Sequence, residues 1–385
     1  MRDLAAQRVL IAGGGIGGLV TALALQREGI TVNVFERASE LVEVGAGLTL
    51  WANAITAMRQ IGHGDVLEAV GKPVSRSRIL SWRGDTLAET PVEALARKYG
   101  TPMIAVHRAD LQAALLSALG PGIVRTGATC TDFQQDDAQV RIRLASGQEV
   151  SGDLLIGADG IRSTVRARLF GDAPLRYAGY TAWRGIARVT SAQWYEAMAT
   201  ETWGSGRRFG LIPLSDGRMY WFATLNSPEG TGDKPGGRKQ ELLDLFSTCH
   251  DPVPAVIAAT DETVILRNDI YDLPPLPSWS QGRVTLLGDA AHATTPNMGQ
   301  GACQAIEDAV ALAAHLGKGS TVTTALHAYE SQRLKRANAV IQQSLRIGQI
   351  AQWENRWAVA ARNTVFKTVP DSLLLRQLET VLKPA

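Results

Sequence analysis

The spacing of apolar residues predicts a βαβ unit at the start of the chain. Residues 9–12 form a short apolar run typical of a buried strand, and apolar residues then recur at helical spacing over Ile16–Arg27. The next segment, Thr31–Phe35, alternates and is rich in β-branched residues, which favours a second strand.

Three glycines and one acid give this unit the signature of a dinucleotide site. Gly13, Gly15 and Gly18 stand in GxGxxG register between the first strand and the helix. The first permits a tight turn, the second lets a pyrophosphate approach the backbone, and the third lets helix and strand pack closely. Glu36 closes the second strand, where a carboxylate accepts hydrogen bonds from both ribose hydroxyls. Because this acid disfavours a 2′-phosphate, the pattern indicates NAD or FAD rather than NADP.

Two later stretches repeat the strand–turn–helix pattern. "DLLIGADGIRSTVR" (residues 153–166) has Asp159 at its turn, either at a cofactor or simply as a cap of the following helix. "GDAAHATTPNMGQGACQAIEDA" (residues 288–309) places small residues between a strand and a helix that begins near residues 299–301. So much bare backbone leaves room for a ligand to lie against this loop. His292 is expected to be a hydrogen-bonded structural residue rather than a catalytic base.

The periodicity changes to two between residues 176 and 272, with one helical interruption, and this predicts an antiparallel sheet. Residues 75–89 are expected to add strands to the same sheet. The predicted fold is an α/β composite of interleaved domains. The dinucleotide-binding domain takes residues 1–74, 102–175 and 282–340, the sheet domain takes residues 75–101 and 176–281, and helices fill residues 341–385. These C-terminal helices, with a break at Pro370, are expected to pack on the dinucleotide-binding domain rather than on a membrane surface.

One hairpin in the sheet is a candidate substrate surface. "GRRFGLIPLSDGRMYWFATLN" is expected to turn at residues 215–217, which sets Arg208 opposite Thr224 and Ile212 opposite Tyr220. One face then carries Arg208, Gly210, Ile212, Tyr220, Phe222 and Thr224. Such a face suits a flat, anionic or carbonyl-bearing ring, with Arg208 and Tyr220 as polar anchors and Arg184 as the next candidate. The alternative is that Arg208 pairs with a surface carboxylate and Tyr220 only fills the sheet.

Composition narrows the class of protein. The 385 residues are 45% hydrophobic, and a net charge of +2 without a basic cluster argues against a nucleic-acid partner. The three cysteines make no CxxC pair and are expected to be free thiols in a reducing compartment. The histidines lack metal-site spacing, so no metal is expected. No apolar run is long enough for a membrane span or a signal peptide, and we expect a cytoplasmic protein.

The three motifs, in this order, resemble the class A flavoprotein monooxygenases, the family of para-hydroxybenzoate hydroxylase, salicylate hydroxylase, FAD-dependent urate hydroxylase and zeaxanthin epoxidase. The resemblance implies a Rossmann-like FAD-binding domain. Within it, Asp289 is implied to contact the ribityl–pyrophosphate region and Asp159 to lie between the flavin and the nicotinamide cofactor. Arg108, in "HRADLQAAL", is implied to reach the FAD phosphates. The complete cofactor-binding set is Gly13, Gly15, Ile16, Gly18, Glu36, Arg37, Arg108, Asp159, Asp289, Gly299, Gly301 and Ala302.

The resemblance also implies the reaction. NAD(P)H reduces FAD, O₂ adds at the flavin C4a atom, and the hydroperoxide hydroxylates or epoxidises a small electron-rich aromatic or heteroaromatic substrate. The absence of a second GxGxxG fits this family, and the WxWxIP signature of flavin halogenases is absent. The alternatives are another FAD-dependent oxidoreductase, a halogenase or reductase, or a non-catalytic FAD-binding protein. The sequence leaves open the substrate, NADH or NADPH, and a monomer or homodimer.

Overall fold

The computed structural model describes residues 7–41, 47–90, 92–188, 198–369, 379 and 381–383. The strands of this part, in chain order, are β1 (Arg8–Ala12), β2 (Thr31–Phe35), β3 (Gly47–Leu50), β4 (Lys72–Val74), β5 (Arg76–Ser81), β6 (Thr86–Thr90), β7 (Met103–His107), β8 (Val124–Arg125), β9 (Cys130–Gln135), β10 (Val140–Leu144), β11 (Glu149–Gly152), β12 (Leu154–Gly157), β13 (Arg176–Arg188), β14 (Met198–Trp203), β15 (Arg207–Pro213), β16 (Arg218–Asn226), β17 (Leu266–Asp272), β18 (Ser280–Gln281) and β19 (Val284–Leu286). The helices are α1 (Ile16–Arg27), α2 (Ala52–Gln60), α3 (Gly64–Val70), α4 (Val92–Tyr99), α5 (Arg108–Leu119), α6 (Thr164–Phe170), α7 (Gly237–Phe246), α8 (Val253–Ala258), α9 (Asp289–His292), α10 (Gly301–Leu316), α11 (Val322–Ala351) and α12 (Arg356–Thr368).

A mostly parallel sheet brings the three sequence motifs together. Its strand order is β18-β19-β12-β1-β2-β8, and β1 runs parallel to both β2 and β12, while β12 runs parallel to β19. The strands β1, β12 and β19 are buried on both faces, which explains their unbroken apolar runs. Because each motif directly follows one of these three neighbouring strands, all three turns lie at the same edge of the sheet.

The second large sheet has the order β17-β13-β16-β15-β14-β5-β6. Its pairs are antiparallel except for β14 with β5, so the predicted addition of strands from residues 75–89 is confirmed. The predicted hairpin register is also confirmed, with Arg208 opposite Thr224, Gly210 opposite Phe222 and Ile212 opposite Tyr220. The sequence reading missed β14, which separates the hairpin from β5.

The two faces of this sheet pack against different partners. The outer face carries Trp183, Phe209 and Trp221, which form one apolar cluster with side chains of α7 and α8. The inner face contributes Tyr220 to a cluster that includes Met103 of β7. The small sheet β3-β7-β4 therefore lies between the inner face and the rest of the molecule. The predicted packing face agrees with this arrangement, and the functional role of the other face stays a prediction.

The C-terminal helix α12 packs against the second sheet at the free end of the hairpin, where Phe366 contacts Trp203, so the predicted packing on the dinucleotide-binding domain is wrong for this helix. Arg362 of α12 is buried and donates hydrogen bonds to the carbonyl oxygens of Ile350 and Ala351, at the end of α11, and of Gly204. Burial lowers the pKa of Arg362 to about 10. The predicted boundary between residues 340 and 341 falls inside α11, and the predicted break at Pro370 lies outside the described residues.

Two sequence-level expectations concern the chain as a whole. Cys130, Cys249 and Cys303 are free thiols, as predicted. Burial raises the pKa of Cys303 to about 12, so this thiol stays protonated at neutral pH. No helix within the described ranges is both long and apolar enough to cross a membrane.

Candidate functional site

The turn between β1 and α1 is shaped by close backbone contacts around its glycines. Gly13 has φ +109°, and a Cβ there would lie 2.3 Å from the carbonyl oxygen of Ala158. A Cβ on Gly18 would lie 2.0 Å from the carbonyl oxygen of Gly13. In contrast, a Cβ on Gly15 would meet no atom within 4 Å. The first and third glycines are therefore needed by the fold, while the second faces open space where a ligand fits.

The N terminus of α1 opens onto this space. Gly15 is its cap residue and makes no side-chain capping hydrogen bond, and the first turn contains no acidic residue. The amide groups at a helix N terminus carry partial positive charge and favour an anion such as a phosphate. Gln112 of α5 stabilises this turn by donating a hydrogen bond to the carbonyl oxygen of Gly14.

Glu36 lies at the end of β2, beside the glycine turn. Its carboxylate accepts hydrogen bonds from the backbone amides of Gly14, at 2.7 Å, and Ala38, at 2.8 Å. These contacts fix the side chain next to the turn, as a ribose ligand requires, and leave lone pairs on both oxygens for further donors. Arg37, the next residue, is exposed. Ribose binding by Glu36 stays a prediction.

Asp159 caps α6 in this structure. Its carboxylate accepts hydrogen bonds from the Ser163 hydroxyl at 2.5 Å and from the backbone amides of Thr164 and Val165. Asp159 also lies against the glycine turn, since a Cβ on Gly13 would be 3.0 Å from its Cα atom. The capping role that the sequence reading left as an alternative is thus present, at a position that also borders the candidate cofactor site.

An Asp159→Ala substitution separates the two roles. Loss of the cap should lower the free energy of unfolding by about 1 kcal/mol. If Asp159 also serves the cofactors, flavin reduction by NAD(P)H should slow as well, measured by stopped-flow absorbance on the holoenzyme. Asn355→Ala is the control, because it removes the cap of another helix, α12, where Asn355 accepts from the Trp357 and Ala358 amides. Equal reduction rates in both variants would assign Asp159 to the helix alone.

Arg166 joins the second motif to the third. Its guanidinium is buried and donates hydrogen bonds to the carbonyl oxygens of Ala290, at 2.9 Å, and Ile161, at 2.6 Å. Burial lowers the pKa of this guanidinium, and the charge of Asp159 acts in the opposite direction. The sequence alone assigns no role to Arg166. The role is to hold α9 against the turn that follows β12.

The third motif exposes main-chain groups and one carboxylate that has no partner among the described residues. Asp289 is exposed, and its carboxylate makes no hydrogen bond or ion pair with the residues that the structure describes. Gly299 is left-handed, with φ +60°, and a Cβ there would lie 2.7 Å from Oγ1 of Thr49. The helix α10 begins at Gly301, as the sequence predicts, and Ala302 is half-buried in its first turn. This segment offers bare backbone, a helix N terminus and acceptor oxygens on one side.

A buried network of charged side chains holds the third motif in place. The Nε2 atom of His292 lies 2.5 Å from Oδ2 of Asp308, which also accepts a hydrogen bond from the Gly288 amide. The other oxygen of Asp308 accepts from Nε of Arg333 at 2.7 Å. Burial would raise the pKa of Asp308, but His292 and Arg333 outweigh it and lower that pKa to about 2. His292 is thus a structural residue, as expected.

Arg108 and Tyr220 approach each other across the boundary between the two large sheets. Arg108 is exposed and begins α5, directly after β7. The Tyr220 phenol is buried, and its ring packs so closely on Gly47 that a Cβ there would lie 2.5 Å from Cγ of Tyr220. Burial raises the pKa of Tyr220, whereas the nearby charges of Arg184 and Arg108 act to lower it.

Arg208 is more enclosed than the sequence reading anticipated. It is 2% exposed and donates hydrogen bonds to Gln352, to Glu201 at 2.9 Å and to Asn297 at 2.7 Å. Its partner carboxylate, Glu201, is itself largely buried, so the pair is not a surface ion pair. These bonds use three of the five N–H groups of the guanidinium, and the Tyr180 phenol is a further hydrogen-bonding neighbour of Arg208. Through Asn297, Arg208 is joined to the third motif.

Sequence reasoning missed Glu201, Asn297 and Gln352 as partners of Arg208. Glu201 lies on β14, a strand that was not recognised, and Gln352 ends a long helix from the far end of the chain. Asn297 lies in the loop of the third motif, where no local pattern indicates its contact with Arg208. The predicted glycine gap is also absent, because the Phe222 ring fills the space over Gly210, where a Cβ would lie 2.0 Å from the ring.

The arrangement fits an extended dinucleotide that ends in a flat ring. Open space over Gly15 lies beside an uncapped helix N terminus, and the unpaired Asp289 stands on a loop of small residues. No carboxylate projects from the first turn of α1 to repel a phosphate. The residues present therefore fit FAD, and their individual contacts with it stay predictions.

Comparison with known proteins places this geometry in context. The family described as FAD binding domain matches residues 6–344. The aurachin C monooxygenase/isomerase of Stigmatella aurantiaca is 45% identical over 359 residues, which cover 93% of each chain. The FAD-dependent urate hydroxylase of Klebsiella pneumoniae is 36% identical over 336 residues, or 87% of this chain and 88% of its own. The crystal structure of Klebsiella pneumoniae HpxO complexed with FAD and uric acid aligns with a TM-score of 0.92 at 31% identity and covers 98% of this chain and 96% of that one.

Proposed function

The chain belongs to the FAD-binding family of flavoprotein monooxygenases, and from this membership we propose that it uses NAD(P)H and O₂ to hydroxylate or epoxidise a small, electron-rich aromatic or heteroaromatic ring. One observation carries the proposal. Three motifs meet at one edge of the parallel sheet, beside the open space over Gly15 and opposite the inner face of the second sheet. This arrangement supports a cofactor site next to a surface able to hold a second flat ligand.

Each motif has its own part in holding the cofactor. The glycine turn and the uncapped N terminus of α1 receive the pyrophosphate, with Arg108 as a cation for the phosphates. Glu36 accepts hydrogen bonds from ribose hydroxyls, and Asp289 accepts them from the ribityl chain. The backbone of residues 299–302 supports the ring, and the N terminus of α10 favours negative charge there. When bound, FAD supplies electron transfer from NAD(P)H and the activation of O₂.

The inner face of the second sheet holds the substrate in this proposal. Transfer of an oxygen atom to an electron-rich ring needs position and the exclusion of water more than a strong acid or base. The apolar cluster around Tyr220 and Met103 excludes water, and Arg208 and Tyr220 supply hydrogen-bond donors. The relative that is crystallised with uric acid supports a nitrogen heterocycle as the substrate class. The "GYTAWRG" stretch departs from the urate hydroxylase pattern, and urate itself is not proposed.

Tyr220→Phe and Arg208→Leu test the substrate surface. Aromatic and heteroaromatic rings are first screened for stimulated NAD(P)H consumption by the holoenzyme, with peroxide release measured to separate productive turnover from leakage. With the ring that stimulates most, each variant should lower the stimulated rate about tenfold more than the unstimulated rate. The reason is that both side chains act on the substrate rather than on reduction in its absence.

Tyr177→Phe is the matched control for the phenol. The Tyr177 hydroxyl donates a hydrogen bond to the carbonyl oxygen of Ser227, remote from the cluster around Tyr220. Its ratio of stimulated to unstimulated rate should equal that of the native protein. Normal product formation in both Tyr220→Phe and Arg208→Leu would show that the substrate binds elsewhere. A protein in which no ring stimulates NAD(P)H consumption would contradict the proposed function itself.

A further inference from the structure

The inner face of the second sheet carries two arginines. One of them pairs with a carboxylate, and the other pairs with none among the described residues. Arg208 is matched by the carboxylate of Glu201 and by two amide oxygens, so it contributes donors but little net charge. Arg184 makes no ion pair with any carboxylate in the described part of the chain. The contrast singles out Arg184 as the cation of this face whose charge is not neutralised by a carboxylate of the described residues.

The strand register places Arg184 on β13, the strand next to the edge strand β17 of the second sheet. It lies on β13 opposite Phe222 of β16 and opposite Leu266 of β17. Side chains alternate along a strand, so Arg184 projects to the same side as Ile186, which is paired with Tyr220. Arg184 is half-buried and lies within hydrogen-bonding reach of the Tyr220 phenol. A ligand on the inner face therefore meets this guanidinium beside the phenol.

The apolar surroundings of Arg184 make its positive charge unfavourable unless an opposite charge lies nearby. Ile186 and Phe222 pack against the apolar cluster that contains Tyr220 and Met103. A cation that is partly withdrawn from water loses hydration, and an opposite charge with hydrogen bonds compensates for the loss. The chain supplies that compensation to Arg208 through Glu201 and supplies none from the described residues to Arg184. The missing partner is best provided by the bound molecule.

We infer that Arg184, together with the hydroxyl of Tyr220, receives an oxyanion of the substrate, so that the ring is bound as an ionised phenol, enol or carboxylate rather than as a neutral molecule. The inference rests on the proposed function, since it names the charge state of the substrate in that same site. Arg184 is a specificity-determining residue here. Its guanidinium presents a fork of donors that suits two oxygens or one strongly charged oxygen.

The test uses FAD-loaded protein and matched pairs of rings that differ in charge. Benzene, pyridine and quinoline rings are each offered as the carboxylate and as the carboxamide. Dissociation constants come from the change in flavin absorbance at a pH where the carboxylates are ionised. The native protein should bind the anionic member of a pair more tightly, by about tenfold or more, as expected for charge-assisted hydrogen bonds.

Arg184→Gln should remove this preference for the anion and leave the binding of neutral members within about twofold. Arg188→Gln is the matched control, because Arg188 is an exposed arginine on the same strand, opposite Arg218. It should keep the native preference. Arg184→Lys retains the positive charge but lacks the planar set of donors, so it should keep part of the preference for the anion. Flavin content is measured for every variant, so that a lost cofactor is not mistaken for a lost substrate site.

Each outcome bears on the inference. If neutral members bind the native protein as tightly as their anions, or if Arg184→Gln keeps the native preference, the inference is overturned. These results leave the proposed function standing whenever a ring still stimulates NAD(P)H consumption. If no ring of the panel binds or stimulates the native protein, the inference and the proposed function fall together.

Discussion

A Gly15→Ala substitution should leave the apoprotein as stable as the native chain and raise the dissociation constant for FAD by a factor of about ten or more. Gly15 has φ −72° and ψ 179°, which any residue adopts, and a Cβ there meets no atom within 4 Å. The methyl group would instead occupy the space into which the pyrophosphate fits. Urea unfolding of the apoprotein and fluorescence titration with FAD measure the two effects.

Gly18→Ala is the contrasting variant in the same turn. Its Cβ would lie 2.0 Å from the carbonyl oxygen of Gly13, so β1 and α1 must separate and the apoprotein itself should be destabilised. A Gly15→Ala protein that binds FAD with native affinity would show that the cofactor does not approach this turn. A destabilised Gly15→Ala apoprotein would show that the open space is needed by the fold.

An Asp308→Asn substitution should lower the free energy of unfolding by about 3–5 kcal/mol, because it removes a fully buried charge from Arg333 and His292. Arg333 is also fully buried and would keep only its contact with Glu307 at 3.3 Å among the carboxylates of the described residues. The Gly288 amide would lose a charged acceptor at the start of the third motif. Urea unfolding followed by tryptophan fluorescence measures the change.

Glu68→Gln is the control for Asp308→Asn, since the Arg59–Glu68 pair is exposed and should contribute no more than about 1 kcal/mol. The pH dependence provides a second check. The folded pKa of Asp308 is lowered to about 2, so its contribution to stability is present above its unfolded value and lost as the pH falls toward 2. Equal destabilisation by Glu68→Gln and Asp308→Asn would contradict the role given to the buried network.

Local signals predicted the elements that carry the cofactor motif and the hairpin. The boundaries of α1 and β2 follow from periodicity alone, because each element is short, strongly patterned and bounded by turn residues. The register of β15 with β16 follows from the position of one tight turn at residues 215–217. In both cases the determining residues lie close together in the chain.

The partners of Arg208 could not be predicted because they come from distant segments. Gln352 lies 144 residues away in sequence and Asn297 lies 89 away, and neither contact leaves a local pattern. The strand that carries Glu201 was missed, since it mixes polar and apolar residues on both sides and pairs in parallel with β5. Whether an arginine is neutralised or left charged is decided by such long-range contacts. For that reason the sequence ranked Arg208 above Arg184.

The most direct test of the account is one turnover under isotopically heavy O₂. The purified holoenzyme is supplied with NAD(P)H and the aromatic ring that most stimulates its consumption, and the product is analysed by mass spectrometry. The account predicts that one heavy oxygen atom enters the product for each NAD(P)H consumed, since a monooxygenase places one atom of O₂ in the substrate and the other in water. A product without heavy oxygen, or consumption of NAD(P)H matched wholly by released peroxide, would contradict it.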